Sequence, residues 1–325
     1  MQRSVKIWKA LFAAIMICGA FESLLAQDVV FLEKSSGDGE TKRKGEIVKW
    51  EGDRISIKGK TGVKTFDSNL LVRIETAWHP GFDAGKKLQA AFRYDDAITQ
   101  LESALENEPR SWMQNIVHAK LVECHLAKED FGNAARHFLK TIDDDPQSRF
   151  RHLAPLVWTS SRPDQQQLKR AESLMSSADP MIALLGASWF LNGSDGEKAK
   201  SKMEMLARDF DPVVASMAKA QLWRLDKLPP NEKRMAVRIE QTWAMPEEVR
   251  CGAWYQIAQA QSKSKMPDEA IVNFMRIPIN DAGQGALSAA ALYQAASLLE
   301  KKNALQSQAL RKELKEKFGD TVWAR

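Results

Sequence analysis

Six prolines recur along the chain at nearly even intervals, and their spacing limits the architecture more than any other feature. Pro109, Pro146, Pro180, Pro212, Pro246 and Pro278 lie 37, 34, 32, 34 and 32 residues apart. Four of them follow an acidic residue, in Glu108-Pro109, Asp145-Pro146, Asp179-Pro180 and Asp211-Pro212. Proline removes a backbone donor and pushes the preceding residue out of the helical region, so this ladder predicts regular helix ends. A period near 34 is that of a two-helix repeat whose units stack on one another.

A second ladder runs in phase with the first. Ala97, Ala134, Ala171, Ala199 and Ala270 are each followed four residues later by Leu101, Phe138, Met175, Met203 and Phe274. Seven residues after the alanines come Ala104, Thr141, Ala178, Leu206 and Ile277. These positions share one helical stripe, in which the small residue admits a close neighbour and the larger ones fill the space beside it. The units fall at 84–109, 112–146, 148–180, 181–212, 213–246, 247–278 and 285–318.

Three stretches resemble the tetratricopeptide (TPR) repeat. Gly85, Leu88, Tyr94, Ala97, Ile98, Leu101, Ala104, Leu105 and Pro109 form one nearly complete motif. Trp254-Tyr255, Ile257-Ala258, Pro267, Ala270-Ile271 and Phe274 form another. Phe131, Ala134-Ala135, Phe138 and Pro146 carry the second half of a third. The tail from Leu314 to Ala324 is similar to the repeat ends of exported bacterial envelope proteins. Units 148–180 and 213–246 lack the aromatic and glycine signature. The resemblance implies an α-solenoid of about seven helix pairs over residues 78–325, with a concave groove that binds proteins or peptides.

Residues 1–26 have the layout of a secretory signal. Arg3, Lys6 and Lys9 precede an apolar run from Ala10 to Phe21, and Ala26 offers a small residue before Gln27. The run is 12 residues, short of the ~20 needed to span a bilayer. Cys18 does not make a lipoprotein signal, because Ile17 stands where a small residue is required. The chain is therefore expected to be exported, periplasmic or secreted, with no stable membrane span after cleavage. Without residues 1–26 the formal charge falls from +5 to +3, and only Cys124 and Cys251 remain, in repeats too far apart to bridge. A balanced, interspersed surface is not that of a dedicated nucleic-acid binder.

Residues 27–77 follow a different pattern. Short apolar runs at Val29–Leu32, Ile47–Trp50, Ile55–Ile57, Val63–Phe66 and Leu70–Ile74 are separated by turn formers such as Glu51-Gly52-Asp53 and Gly59-Lys60-Thr61-Gly62. Five strands in so short a span suggest a small closed barrel, similar to Sm-like domains, which removes exposed edges. Trp50 and Phe66, flanked by Lys42, Arg43, Lys44, Lys58, Lys60 and Lys64, could stack on bases. The acidic residues among them favour the simpler reading, in which both aromatics are core.

No spacing announces catalysis. There is no phosphate loop, no Gly-x-Ser-x-Gly and no His-Glu-x-x-His. Asp143-Asp144-Asp145 before Pro146 reads as a solvated helix terminus, and acid there opposes the helix dipole. His118, Glu123, Cys124, His125 and His137 are close in sequence, but His118, Leu121, Val122 and His125 fall on the packing stripe. Without a zinc-type Cys/His spacing, packed histidine is the better reading, and no metal or cofactor is expected. In TPR proteins the first helix of each pair lines the groove, so the resemblance, with the periodicity of those helices, implies that Lys86, Gln89, Glu123, Ser188, Asn192, Tyr255, Gln259 and Lys263 lie there. The expected function is that of a non-enzymatic envelope scaffold for a protein or peptide partner, its small β domain covering the first repeat or adding a contact surface. The alternative is an accessory subunit of an envelope enzyme or export complex.

Overall fold

The structure is a computed structural model, and it describes residues 28–34, 39–143, 145–159, 164–193, 196–280 and 285–324. The leader expected at 1–26, with Cys18, lies outside the described residues, as does Asp144. The molecule is mainly α-helical, with thirteen α-helices among the described residues and a five-stranded antiparallel sheet at its N-terminal end. It divides into two compact units between Trp78 and His79. No helix among the described residues is long and apolar enough to cross a membrane.

The strands are β1 (Asp28–Glu33), β2 (Glu40–Glu51), β3 (Arg54–Gly59), β4 (Gly62–Asp67) and β5 (Leu71–Glu75), in the spatial order β4-β3-β2-β1-β5. Each apolar run of the sequence lies in one of them or at its edge. The sheet is open, which corrects the closed barrel. β4 and β5 are its edges, and neither buries a residue fully, so no second apolar face drives closure. The core is Val30, Phe31, Leu32, Ile47, Ile55 and Ile57, whereas Trp50 and Phe66 are only half-buried. Asp28, at the start of β1, ties β1 to β2 and to the residue after β5: one carboxylate oxygen accepts Ile47 N–H at 2.8 Å and the other accepts the Thr76 hydroxyl.

The helices are α1 (Pro80–Ala90), α2 (Tyr94–Glu106), α3 (Ser111–Ala127), α4 (Phe131–Asp143), α5 (Gln165–Met175), α6 (Pro180–Phe190), α7 (Gly196–Leu206), α8 (Pro212–Leu222), α9 (Glu232–Trp243), α10 (Arg250–Lys263), α11 (Pro267–Ile279), α12 (Gly285–Leu299) and α13 (Ala304–Phe318). Three prolines of the ladder, Pro109, Pro146 and Pro246, follow the ends of α2, α4 and α9 by three residues, and Pro278 lies inside α11. Pro180 and Pro212 are first residues of α6 and α8, where a missing N–H costs nothing. Their acidic neighbours are caps: Asp179 accepts the N–H groups of Met181 and Ile182 at 2.8 and 3.0 Å, and Asp211 accepts that of Val213 at 2.9 Å. Asp145 is buried rather than solvated, and it accepts the N–H of Gln147 at 3.1 Å.

The alanine ladder forms the seams. Ala97, Ala134, Ala171, Ala199 and Ala270 are all fully buried, on α2, α4, α5, α7 and α11. The stripe fails in one unit, because α5 ends at Met175 and leaves Ala178 exposed. Among its described residues, unit 148–180 also lacks its first helix. A short 3-10 turn at Arg151–Leu153 leads instead into a non-helical stretch, residues 154–158. Pro155 excludes a helix there by removing a donor and forcing Ala154 out of the helical region. Within the helical unit α12 packs against α3, so late helices meet early ones.

Candidate functional site

The stretch Leu153–Trp158 is buried, and its backbone is satisfied by side chains from three separate helices. Ser188 Oγ on α6 accepts the Val157 N–H at 3.0 Å, and Gln221 Nε2 on α8 donates to Val157 O at 3.1 Å. Trp189 Nε1 on α6 donates to Pro155 O at 2.9 Å, and Gln256 Nε2 on α10 donates to Trp158 O at 2.8 Å. A buried, non-helical backbone needs such partners, since each unpaired group would cost about 1–3 kcal/mol. Ser188 also donates to Gln221 Oε1 at 3.0 Å, and Gln221 in turn accepts from Arg224. Burial lowers Arg224 to about 10, leaving it charged at neutral pH. The Trp158 indole lies over Gly252, where no side chain could fit.

This arrangement separates the eight groove candidates. Ser188 and Tyr255 are 0% and 2% exposed, so neither presents a side chain to a surface partner. Ser188 holds the chain's own backbone. Tyr255 packs edge-on against Phe274 with ring centroids 5.5 Å apart, and its oxygen accepts from Gln259 Nε2 at 3.1 Å. Burial pushes the Tyr255 phenol up to about 12. Lys86, Asn192 and Lys263 are exposed, while Gln89, Glu123 and Gln259 are half-buried. Gln89 on α1 and Glu123 on α3 are brought together: Gln89 Nε2 donates to Glu123 Oε2 at 2.6 Å, and Lys120 Nζ lies 2.7 Å from the same oxygen. Asn192 opens onto a cleft of about 790 Å³ whose charged lining is Glu197, Lys200, Glu204, Asp226 and Lys227.

The histidines that sequence spacing read as packed meet in a second cluster, where α2, α3 and α4 come together. His118 and His125 on α3 converge on His137 of α4, with Glu102 of α2 beside them. His118 Nδ1 lies 2.9 Å from His137 Nδ1, and the His125 ring stacks on His137 at 5.5 Å and 11°. Burial lowers both His125 and His137, the latter to about 3, so both rings are neutral at neutral pH. Cys124 takes no part: it is fully buried, and burial raises its thiol to about 12. Cys124 and Cys251 are both buried and form no disulfide with each other. Glu102 carries no local signal, being one exposed acid on a helix surface. No family model matches the chain, and no curated protein or solved structure matches it.

Proposed function

We propose that the helical unit is a TPR-like scaffold, exported to the cell envelope, that holds a protein or peptide partner against its helices. The observation that carries this reading is the 153–158 stretch, whose non-helical backbone is gripped by α6, α8 and α10. Side-chain amides and hydroxyls meeting a backbone, with an indole seated over a glycine, are the means by which such helices would hold a peptide from another chain. The helical repeats of the sequence and the leader-like residues 1–26 support the class and the compartment.

Lys86 and Lys263 are the exposed charges through which a partner is expected to be read. Glu123 is set apart from them, because reversing it would also break its contacts with Gln89 and Lys120. The test is the double variant Lys86→Glu/Lys263→Glu, assayed for recovery of the partner captured by the wild-type chain. Recovery is expected to fall about tenfold or more with an unchanged melting temperature, because rim charges govern association more than folding. Equal recovery would remove these lysines from the interface.

A further inference from the structure

We propose that Glu102, His125 and His137 together bind a divalent transition-metal ion of the zinc class, and that the Arg136 guanidinium occupies the ion's place when none is bound. The three residues come from α2, α3 and α4, and each offers a ligand atom within 4.8 Å of the other two. Two imidazoles and a carboxylate are a donor set that zinc and its neighbours accept, with a fourth position left for water. Glu102 is exposed, so the site opens to solvent on that side.

The independent sign of a missing ligand is His125. It is 5% exposed, and its Nε2 has no hydrogen-bond partner among the described residues. Its Nδ1 does lie 3.2 Å from Asp130 Oδ2, a carboxylate contact that orients the ring and leaves Nε2 with nothing to meet. A buried polar atom left unpaired costs about 1–3 kcal/mol, and native structures rarely tolerate it without a function. Metal-bound histidines are commonly oriented by a carboxylate on the other nitrogen, which is the role Asp130 takes here.

His137 has the complementary arrangement. Its Nδ1 meets His118, and its Nε2 lies 3.0 Å from Arg136 Nη2. The same Nη2 lies 3.7 Å from Glu102 Oε1, so the guanidinium bridges the carboxylate and the imidazole that would share the ion. Arg136 is about half exposed and can swing into water. A guanidinium and a divalent ion repel, so the two occupants exclude each other. The rings of His125 and His137 are nearly parallel, and closing on one ion turns one of them about its soft terminal torsion.

The test is titration of the chelator-stripped full-length protein with zinc chloride against a chromophoric chelator, with cobalt(II) absorption reporting the coordination geometry. One equivalent is expected to bind. Glu102→Gln and His137→Gln should each weaken it by about tenfold or more, and Arg136→Ala should tighten it. Glu102 is exposed, so its variant remains informative if a histidine variant fails to fold. Absence of binding would overturn the proposal in favour of a histidine stack closed by Arg136. Binding that ignores both Glu102→Gln and Arg136→Ala would overturn it too, by placing the ion elsewhere.

Discussion

Gly252 and Trp158 show how a single atom can matter in this chain. A Cβ on Gly252 would overlap the rigid Trp158 indole, which is itself buried. Gly252→Ala is therefore expected to lower stability by about 1–3 kcal/mol, the usual cost of overpacking. In a Trp158→Leu background the same change should cost much less, and a double-mutant cycle by urea denaturation measures that coupling. Equal costs in both backgrounds would separate the two residues. Tyr255 gives a pH signature. Its phenol ionises near 12 in the folded chain, against about 10 when unfolded, because burial disfavours the charged form. The unfolded chain thus releases this proton first, so its contribution to stability is intact below pH 10 and is lost as pH rises from about 10 to about 12. Wild type should lose stability relative to Tyr255→Phe across that window. Absorbance at 295 nm should show a late-ionising phenol missing from the variant.

At the scale of elements, the segment 153–158 behaves as a bound peptide. The Val157 amide, outside any helix, is expected to exchange with solvent as slowly as the core amides of α6. Ser188→Ala removes its acceptor, and should speed that exchange and cost about 1–3 kcal/mol. An amide already fast in the wild type would contradict the geometry. This scale also shows what was legible in the sequence. Alternation and turn residues located all five strands, and the buried alanines located the seams, because both signals are local. Barrel closure was not legible, since it depends on what covers β4 and β5. The missing helix of unit 148–180 had a local sign in Pro155, which the 34-residue rhythm obscured. Ser188 and Tyr255 were assigned to the groove by the repeat resemblance and helical period. Their burial comes from packing partners, including a segment about thirty residues before Ser188, and period is blind to them. The sequence set His125 and His137 aside as packed, and Glu102 was hidden beside them for the same reason, since the cluster's members sit on three helices.

For the helical unit as a whole, the contact between early and late helices has a consequence. In a simple stack each repeat touches only its neighbours, and a defect at one end fades along the array. Here α12 packs on α3, the Phe92 and Phe318 rings meet at 5.7 Å, and Trp323 Nε1 donates to Glu129 Oε1 at 3.0 Å across 194 residues. Trp323→Ala is therefore expected to speed amide exchange in α3 as well as in α12 and α13. Exchange changes confined to α12 and α13 would mean that this contact does not couple the ends.

The central claim, that these helices hold a protein partner, is tested most directly by site-specific photo-cross-linking in the native cell. A photoreactive residue would replace Lys86, Asn192 or Lys263 in turn, with the exposed Glu316 as a control position. The account predicts one recurrent protein captured from the first three positions and not from the control, identified by mass spectrometry of the cross-linked product. Capture that is the same at all four positions, or confined to the control, would contradict it.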